Sequence, residues 1–285
     1  MDEHDALALP WPEDAEVEHV FLSHGRDRPR FTRHKILGWT RPGVTSVINP
    51  WDKAAIIKWS ADTEREVCLE AASRVYGEIV AQRKAHPVEV FQGRVEANLG
   101  AVRAYRKKLE KAGDIGTGAH DMIRWHIKRS MGLDPGPEPQ IPEESILAVM
   151  AWEDHWKSAG LVPIRTEQHI WSDTHEYAGQ IDLIALRDGQ LGIVDLKTGK
   201  GIYPSHHLQV AAYAHAVEEL LSVKIEWAEL WRLPKTLEDI RFEVAQLGDT
   251  HVWNGNGFTA RKLMWSELFA SFAGLRVAWE HTIRP

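Results

Sequence analysis

The segment GIVDLKTGKGIYPSHHLQVAAYAHA, residues 192–216, places an apolar strand directly before two opposite charges, a glycine-rich turn and a helix. The strand ends in Asp195 and Lys197, which stand two residues apart and therefore point to the same face. The following helix carries Gln209 and Tyr213 one turn apart. Such a strand end is either a surface ion pair or part of an active site, and the rest of the chain has to decide between them.

Three consecutive segments alternate with period two and are predicted to be strands: 162–171, 177–187 and 190–197. Asp188-Gly189 between the last two favours a tight hairpin, which would place Asp182 opposite residue 195. Two facing carboxylates repel unless a cation lies between them. Mg²⁺ and Mn²⁺ prefer such oxygen ligands, and either ion could activate water for attack on a phosphodiester beside Lys197.

The remaining pattern predicts helices on both sides of these strands. The predicted helices are 52–81, 88–112, 117–130, 142–159, 204–221 and 262–280, and the further strands are 19–23, 30–34, 224–233 and 240–244. Gly113 is expected to stop the second helix, and residues 251–258 are expected to form a turn. The order predicts an α/β (α+β) fold in which helices flank a mixed central sheet and the N-terminal half is helical.

Composition narrows the classes of protein. The chain has 285 residues and 44% hydrophobic content, enough for a sizeable core, and no apolar run approaches the roughly 20 residues that span a bilayer. We therefore predict no membrane partner. Its single cysteine, Cys68, excludes an intramolecular disulfide, a thiolate zinc site and a cysteine-held iron–sulfur cluster. Helical spacing predicts that Cys68 is buried, and the sequence suits a reducing, cytoplasmic location.

The charge is unevenly distributed. Residues 1–19 contain seven acids and no Lys or Arg, so the other 41 − 7 = 34 acids balance the 34 Lys and Arg residues. Basic side chains concentrate in residues 26–41 and at Arg103, Arg106, Lys107, Lys108 and Lys111. Each stretch is either a contact surface for a polyphosphate or a solvated face. We predict an acidic flexible tail over 1–18, a mainly helical region over 19–113 and a core over 114–285.

Three motifs resemble those of a known family. AGQIDLIA, IVDLKTGK and HHLQVAAYAHA resemble the Gly-x-x-Asp, (Asp/Glu)-x-Lys and Gln-x-x-x-Tyr elements of the PD-(D/E)XK nuclease superfamily, closest to its RecB-like and phage-type exonuclease branch. GTGAHDMI is similar to the upstream Gly-Thr-x-x-His element of that branch, and GVTSVINPWDKAAIIKWSADTE to the opening of its phage-type members. The resemblance covers residues 40–232 and implies a restriction-endonuclease-like fold.

The resemblance implies a metal site. Asp182 and Asp195 would be its carboxylates, Leu196 would lend a backbone carbonyl, and His120 would complete the set. A histidine in isolation is more often a core or capped residue than a ligand. Glu167 is a further candidate, either as the upstream acid that some members use or as an outward-facing strand residue.

The resemblance also implies a catalytic lysine at Lys197 and an auxiliary pair at Gln209 and Tyr213. The implied activity is that of a Mg²⁺-dependent deoxyribonuclease, an exonuclease of recombination, repair or phage DNA processing. Mg²⁺ or Mn²⁺ would be the cofactor, without an iron–sulfur cluster or a nucleotide. DNA would be the substrate partner, and the chain would form a homo-oligomer and work with a single-strand annealing or recombination protein. Its location would be the cytoplasm of a bacterial host or a phage-infected cell. The alternative is a non-cutting nucleic-acid-binding or assembly protein on the same fold.

Overall fold

The structure is a computed structural model of the chain. It describes residues 1–12, 16–21, 30–36, 39–50, 53–82, 87–99, 103–253 and 258–282. Residues 1–50 and 115–285 form one compact unit, and residues 51–114 form a second. The predicted boundaries at residues 18 and 113 stay a prediction. Within the described residues, no helix combines the length and the apolar character needed to cross a membrane.

The elements follow one another in this order along the chain. The strands are β1 Glu16–Phe21, β2 Arg30–Ile36, β3 Trp39–Pro42, β4 Val162–Ser172, β5 Tyr177–Arg187, β6 Gln190–Thr198, β7 Trp227–Leu233, β8 Glu243–Gln246, β9 Asp249–Trp253 and β10 Phe258–Lys262. The helices are α1 Glu3–Leu7, α2 Val44–Ile48, α3 Lys53–Ala81, α4 Val88–Leu99, α5 Ala104–Ser130, α6 Glu143–Ala159, α7 Pro204–Leu221 and α8 Trp265–Thr282.

The central sheet has the strand order β4-β5-β6-β7-β8. Only β6 and β7 are parallel neighbours, and α7 makes the crossover between them. The β5–β6 hairpin turns at Asp188 and Gly189, whose φ angles of 50° and 74° suit a tight two-residue turn. The predicted mixed α+β architecture, with a helical N-terminal half, is confirmed. A small antiparallel sheet, β1-β2-β3, is added to it.

Both faces of the central sheet are buried. Ile184 and Ile193 pack with α7 and α8 on one face, whereas Leu183 and Val194 pack with α5 and α6 on the other. Double-sided burial explains why the predicted period-two alternation is incomplete in β5 and β6, where buried apolar residues such as Ile193 and Val194 follow one another. A carboxylate in such a strand is therefore conspicuous, because its surroundings are mostly hydrocarbon.

The predicted break at Gly113 is wrong. The helix α5 runs unbroken from Ala104 to Ser130, and α4 ends at Leu99, with residues 100–102 outside the described part of the chain. An interior glycine costs a helix only about 1 kcal/mol relative to alanine, which packing readily offsets. At Gly118 an added Cβ would lie 2.7 Å from Pro142 Cδ, so the missing side chain lets α5 approach the start of α6.

The prediction that Cys68 is buried is also wrong, because its side chain is exposed. Among the side chains described in α3, only Thr63, Ala71 and Val75 are buried. Periodicity located the inner stripe of the helix around Ala71 and Val75. It could not show how far along the helix that stripe is covered.

The N-terminal residues form the short helix α1, which contributes one buried side chain. Asp2 Oδ1 accepts a 2.8 Å hydrogen bond from the Asp5 N–H at the start of α1, and Ala6 is fully buried. The ammonium group of Met1 donates to the carbonyl of Gly189 at 2.8 Å. Residues 13–15 of the predicted tail lie outside the described residues, as do 26–29 and 37–38 of the first basic stretch and 254–257 of the predicted turn.

Candidate metal centre and active site

Asp182 and Asp195 occupy opposite positions on neighbouring strands. The antiparallel ladder of β5 and β6 ends at the pair Leu183 and Val194, so the next positions in register are Asp182 and Asp195. The ladder stops there, and Asp182 Oδ2 instead accepts a 2.7 Å hydrogen bond from the backbone N–H of Leu196. One oxygen of this carboxylate thereby fixes the strand end.

Glu167 extends this pair into a row of three acids. On β4 it lies between Thr166 and Gln168, which pair with β5 on either side of Asp182, so it faces Asp182 across the ladder. Its φ of 53° is left-handed, a strained conformation for glutamate that costs about 1–3 kcal/mol. Gln180 Nε2 donates to the Glu167 carbonyl at 3.2 Å and supports this conformation.

His120 approaches the same row from α5. Its Nδ1 lies 3.4 Å from Asp182 Oδ1. One turn earlier, Gly116 packs against the end of β6, where an added Cβ would lie only 2.7 Å from Thr198 Oγ1. Glycine at this position allows α5 to approach β6 closely, which brings His120 to Asp182.

The resulting donor set fits a divalent cation. One ligand atom each from His120, Glu167 and Asp182 can lie within 4.8 Å of one another, and all three residues are partly buried. An imidazole nitrogen and two carboxylates suit Mn²⁺ and Mg²⁺, the ions predicted from the sequence. Glu167, for which the sequence left open an upstream acid or an outward-facing strand residue, is the third member of the trio. Asp195 lies outside the trio.

Asp195 is engaged by Lys197 and Gln209. Lys197 Nζ lies 2.6 Å from the buried Asp195 Oδ2, an ion pair without hydrogen-bond alignment. Gln209 Nε2 donates to Asp195 Oδ1 at 3.2 Å, and Gln209 Oε1 accepts from Lys197 Nζ at 3.1 Å. Gln209 Nε2 also donates to the Tyr213 hydroxyl at 2.8 Å. The four residues thus form one connected network.

Gly179 makes room for the tyrosine of this network. A Cβ at Gly179 would collide with the Tyr213 ring. Tyr213 is buried on α7, one turn after Gln209, and its ring packs against the β5 backbone at this glycine. The glycine of the Gly-x-x-Asp element therefore serves α7 packing, while its aspartate serves the candidate metal site.

The crowding of acids shifts their pKa values. Burial, followed by the charge of Asp182, raises the pKa of Glu167 to about 7. Burial raises the pKa of Asp195 to about 6, and Lys197 only partly offsets that rise. For Asp182 burial acts in the same direction, but His120 and Lys197 outweigh it, so its pKa is lowered.

The histidine responds in the opposite sense. Burial alone would lower the pKa of His120, but the adjacent Asp182 carboxylate outweighs burial and raises it. Near neutral pH, protons therefore balance part of the negative charge in the row. A divalent cation would displace those protons, as metal binding to protonated ligands generally does.

Comparison with known proteins identifies one matching family. The family model described as "PD-(D/E)XK nuclease superfamily" matches residues 90–251, more than half of the chain. That range includes every residue of the trio and of the network. No curated protein matches the chain. Among solved structures, a match titled "Crystal structure of SSO0001" is 14% identical, covers 57% of this chain and 76% of that chain, and has a TM-score of 0.27.

Proposed function

We propose that this chain, which belongs to the PD-(D/E)XK nuclease superfamily, is a metal-dependent deoxyribonuclease that acts as an exonuclease in recombination, repair or phage DNA processing. Family membership supports nuclease chemistry, a divalent cation and a DNA substrate. The observation that carries the proposal is the convergence of His120, Glu167 and Asp182 beside the network of Asp195 and Lys197.

His120, Glu167 and Asp182 would hold the cation, and Asp195 would complete the site from the facing strand. When bound, the cation would lower the pKa of a water molecule and polarise a phosphoryl oxygen. Asp182 already holds one oxygen against the Leu196 N–H, which leaves the other oxygen, toward His120, for the ion.

Lys197 supplies a positioned positive charge. Asp195 and Gln209 hold its Nζ from two directions, at 2.6 Å and 3.1 Å. An ammonium fixed in this way can orient the attacking water and stabilise the negative charge that develops on the phosphate. Tyr213 contributes indirectly, since its hydroxyl anchors the amide of Gln209.

Cleavage of linear DNA tests the proposal. The purified protein is incubated with Mg²⁺ or Mn²⁺, alongside Asp195→Ala and Lys197→Ala. Asp154→Ala is the matched control, because Asp154 is an exposed acid on α6 paired with Lys157. We expect cleavage by the wild type and the control, and its loss in both site variants and in chelator.

Equal cleavage by the wild type and both site variants would contradict the assignment. DNA binding without hydrolysis under any metal would favour the non-cutting alternative. End-labelled linear DNA compared with covalently closed circular DNA separates the exonuclease mode from the endonuclease mode, because a closed circle offers no end. The proposed cytoplasmic location, homo-oligomer and annealing or recombination partner are separate from this test.

A further inference from the structure

A cavity lined by described residues lies beside the candidate active site. It has a volume of about 660 Å³, within the roughly 300–1,000 Å³ common for small-molecule sites. The start of α7, the edge strand β8 and the β9–β10 hairpin form its walls. None of the residues assigned above to metal binding or catalysis lines it.

The cavity and the site are joined through the sheet and through one loop. Lys197 on β6 pairs with Arg232 on β7, which pairs with Glu243 on the cavity wall. Two strand spacings separate the first and last of these backbones by about 10 Å. The loop that follows β6 begins two residues after Lys197, at Gly199, and its residues Ile202 and Tyr203 line the cavity. Arg232 Nη1 donates to the Gly199 carbonyl in that loop at 3.1 Å.

The lining suits an uncharged planar group. Its walls include the apolar side chains of Ile202, Pro204, Val244, Ala245 and Ala260. The ring of Tyr203, a residue that is 46% exposed, stands at the same wall and is held edge-on to the His206 ring. An exposed, positioned aromatic ring of this kind is a platform on which a nucleobase can stack.

The charges on the lining are already balanced. Asp249 lies 3.5 Å from Lys262, and Glu243 lies 3.0 Å from Arg232. Arg261 lies 3.7 Å from Glu267. A phosphate would find no excess positive charge in the cavity, whereas a base would find both donors and acceptors at its edge.

His207 is a further polar residue of the lining. It is buried and lines the cavity, and its Nδ1 accepts from the Gly248 N–H at 3.3 Å. Nδ1 therefore carries no proton, and Nε2 is the protonated nitrogen of the neutral ring.

We propose that this cavity receives one unpaired nucleobase of the substrate strand, next to the phosphate that is cleaved. The inference rests on the proposed nuclease function and refines its substrate class. A base can enter only if it is unpaired, so the preferred substrate is single-stranded DNA or a frayed end rather than an intact duplex. Stacking on Tyr203 would then hold the adjacent phosphate at the metal.

The test uses the full chain in chelator, so that binding is observed without cleavage. The probe is a single-stranded oligonucleotide that carries 2-aminopurine, whose fluorescence falls when it stacks. Tyr203→Ala removes the platform, and Ala260→Trp fills the cavity from an exposed position on β10. Tyr76→Ala is the control, because Tyr76 is a comparably exposed tyrosine (65%) in the other compact unit.

We expect the wild type and Tyr76→Ala to quench the fluorescence and to bind with equal affinity. Both cavity variants should lose the quenching and bind about tenfold more weakly, as loss of one stacked base predicts. Equal quenching and affinity in all four proteins would overturn the base cavity. That result would leave the nuclease proposal standing, since it is judged separately by metal-dependent hydrolysis.

Discussion

The carboxylate of Asp182 is shared between two partners, the Leu196 N–H at 2.7 Å and His120 Nδ1 at 3.4 Å. One contact belongs to the sheet and the other to the candidate metal site. Structural and functional roles of this side chain can therefore be separated by substitution.

Asp182→Asn keeps an oxygen that can accept from Leu196, whereas Asp182→Ala leaves that partly buried N–H unpaired. We expect Asp182→Ala to lower the free energy of unfolding by about 1–3 kcal/mol, and Asp182→Asn by clearly less. Urea unfolding in chelator measures both. Equal destabilisation by the two variants would show that the contact to Leu196 does not depend on a hydrogen-bond acceptor.

Gly116→Ala tests whether the close approach of α5 to β6 positions His120 at the metal site. The added Cβ would meet Thr198 Oγ1 at 2.7 Å, which should push the helix away and weaken Mn²⁺ binding by about tenfold or more. Gly113→Ala is the matched control one turn earlier, since an added Cβ there meets no atom within 4 Å. Calorimetric titration with Mn²⁺ gives the affinities.

The double variant Gly116→Ala/Thr198→Ala should recover most of the lost Mn²⁺ affinity, because the second change removes the colliding hydroxyl. An unchanged affinity in Gly116→Ala, or an equal loss in Gly113→Ala, would refute the role assigned to this close approach.

Glu167 should make the stability of the metal-free protein depend on pH. Its pKa in the folded state is raised from 4.5 to about 7, so the folded state holds a proton that the unfolded state releases. The associated stability is present below pH 4.5 and is lost as the pH rises through about 7. Relative to Glu167→Gln, the wild type should therefore lose on the order of 1–3 kcal/mol between pH 4.5 and 7.5.

Urea unfolding at several pH values in chelator, for the wild type and Glu167→Gln, measures this difference. Saturating Mn²⁺ should reverse the sign of the stability difference at pH 7.5 and make the wild type the more stable protein, since only the wild type retains the second carboxylate of the trio. A difference between the two proteins that stays constant across the pH range would argue against a buried, protonated Glu167.

Gln209→Ala should lower kcat by about 10–100-fold with little change in KM, because the amide contacts Lys197 and Asp195 rather than solvent. Tyr213→Phe removes only the hydroxyl that accepts from Gln209, and we expect a smaller loss of kcat. Steady-state kinetics on labelled linear DNA distinguish the cases. A full kcat in Gln209→Ala would remove the amide from the catalytic network.

The central sheet was predictable because its signals are local. Period-two alternation and the Asp188-Gly189 turn fix β5 and β6 in register, and α7 begins and ends at the predicted residues. The closeness of Asp195, Lys197 and Gln209 follows from that register together with helical spacing.

Other features depend on contacts that sequence spacing does not encode. The continuity of α5 reflects packing at Gly116 and Gly118, which outweighs weak helix breakers. The exposure of Cys68 depends on which parts of α3 are covered. Glu167 has a left-handed backbone angle, which strand alternation does not foresee. Its position opposite Asp182 across the β4–β5 turn was the available signal.

The position of a bound metal ion tests the assigned metal site most directly. Crystals soaked in Mn²⁺ would be measured for anomalous scattering. We expect one strong peak about 2 Å from ligand atoms of His120, Glu167 and Asp182, in coordination distance of all three. A manganese peak elsewhere, or no peak at a concentration that saturates cleavage, would contradict it.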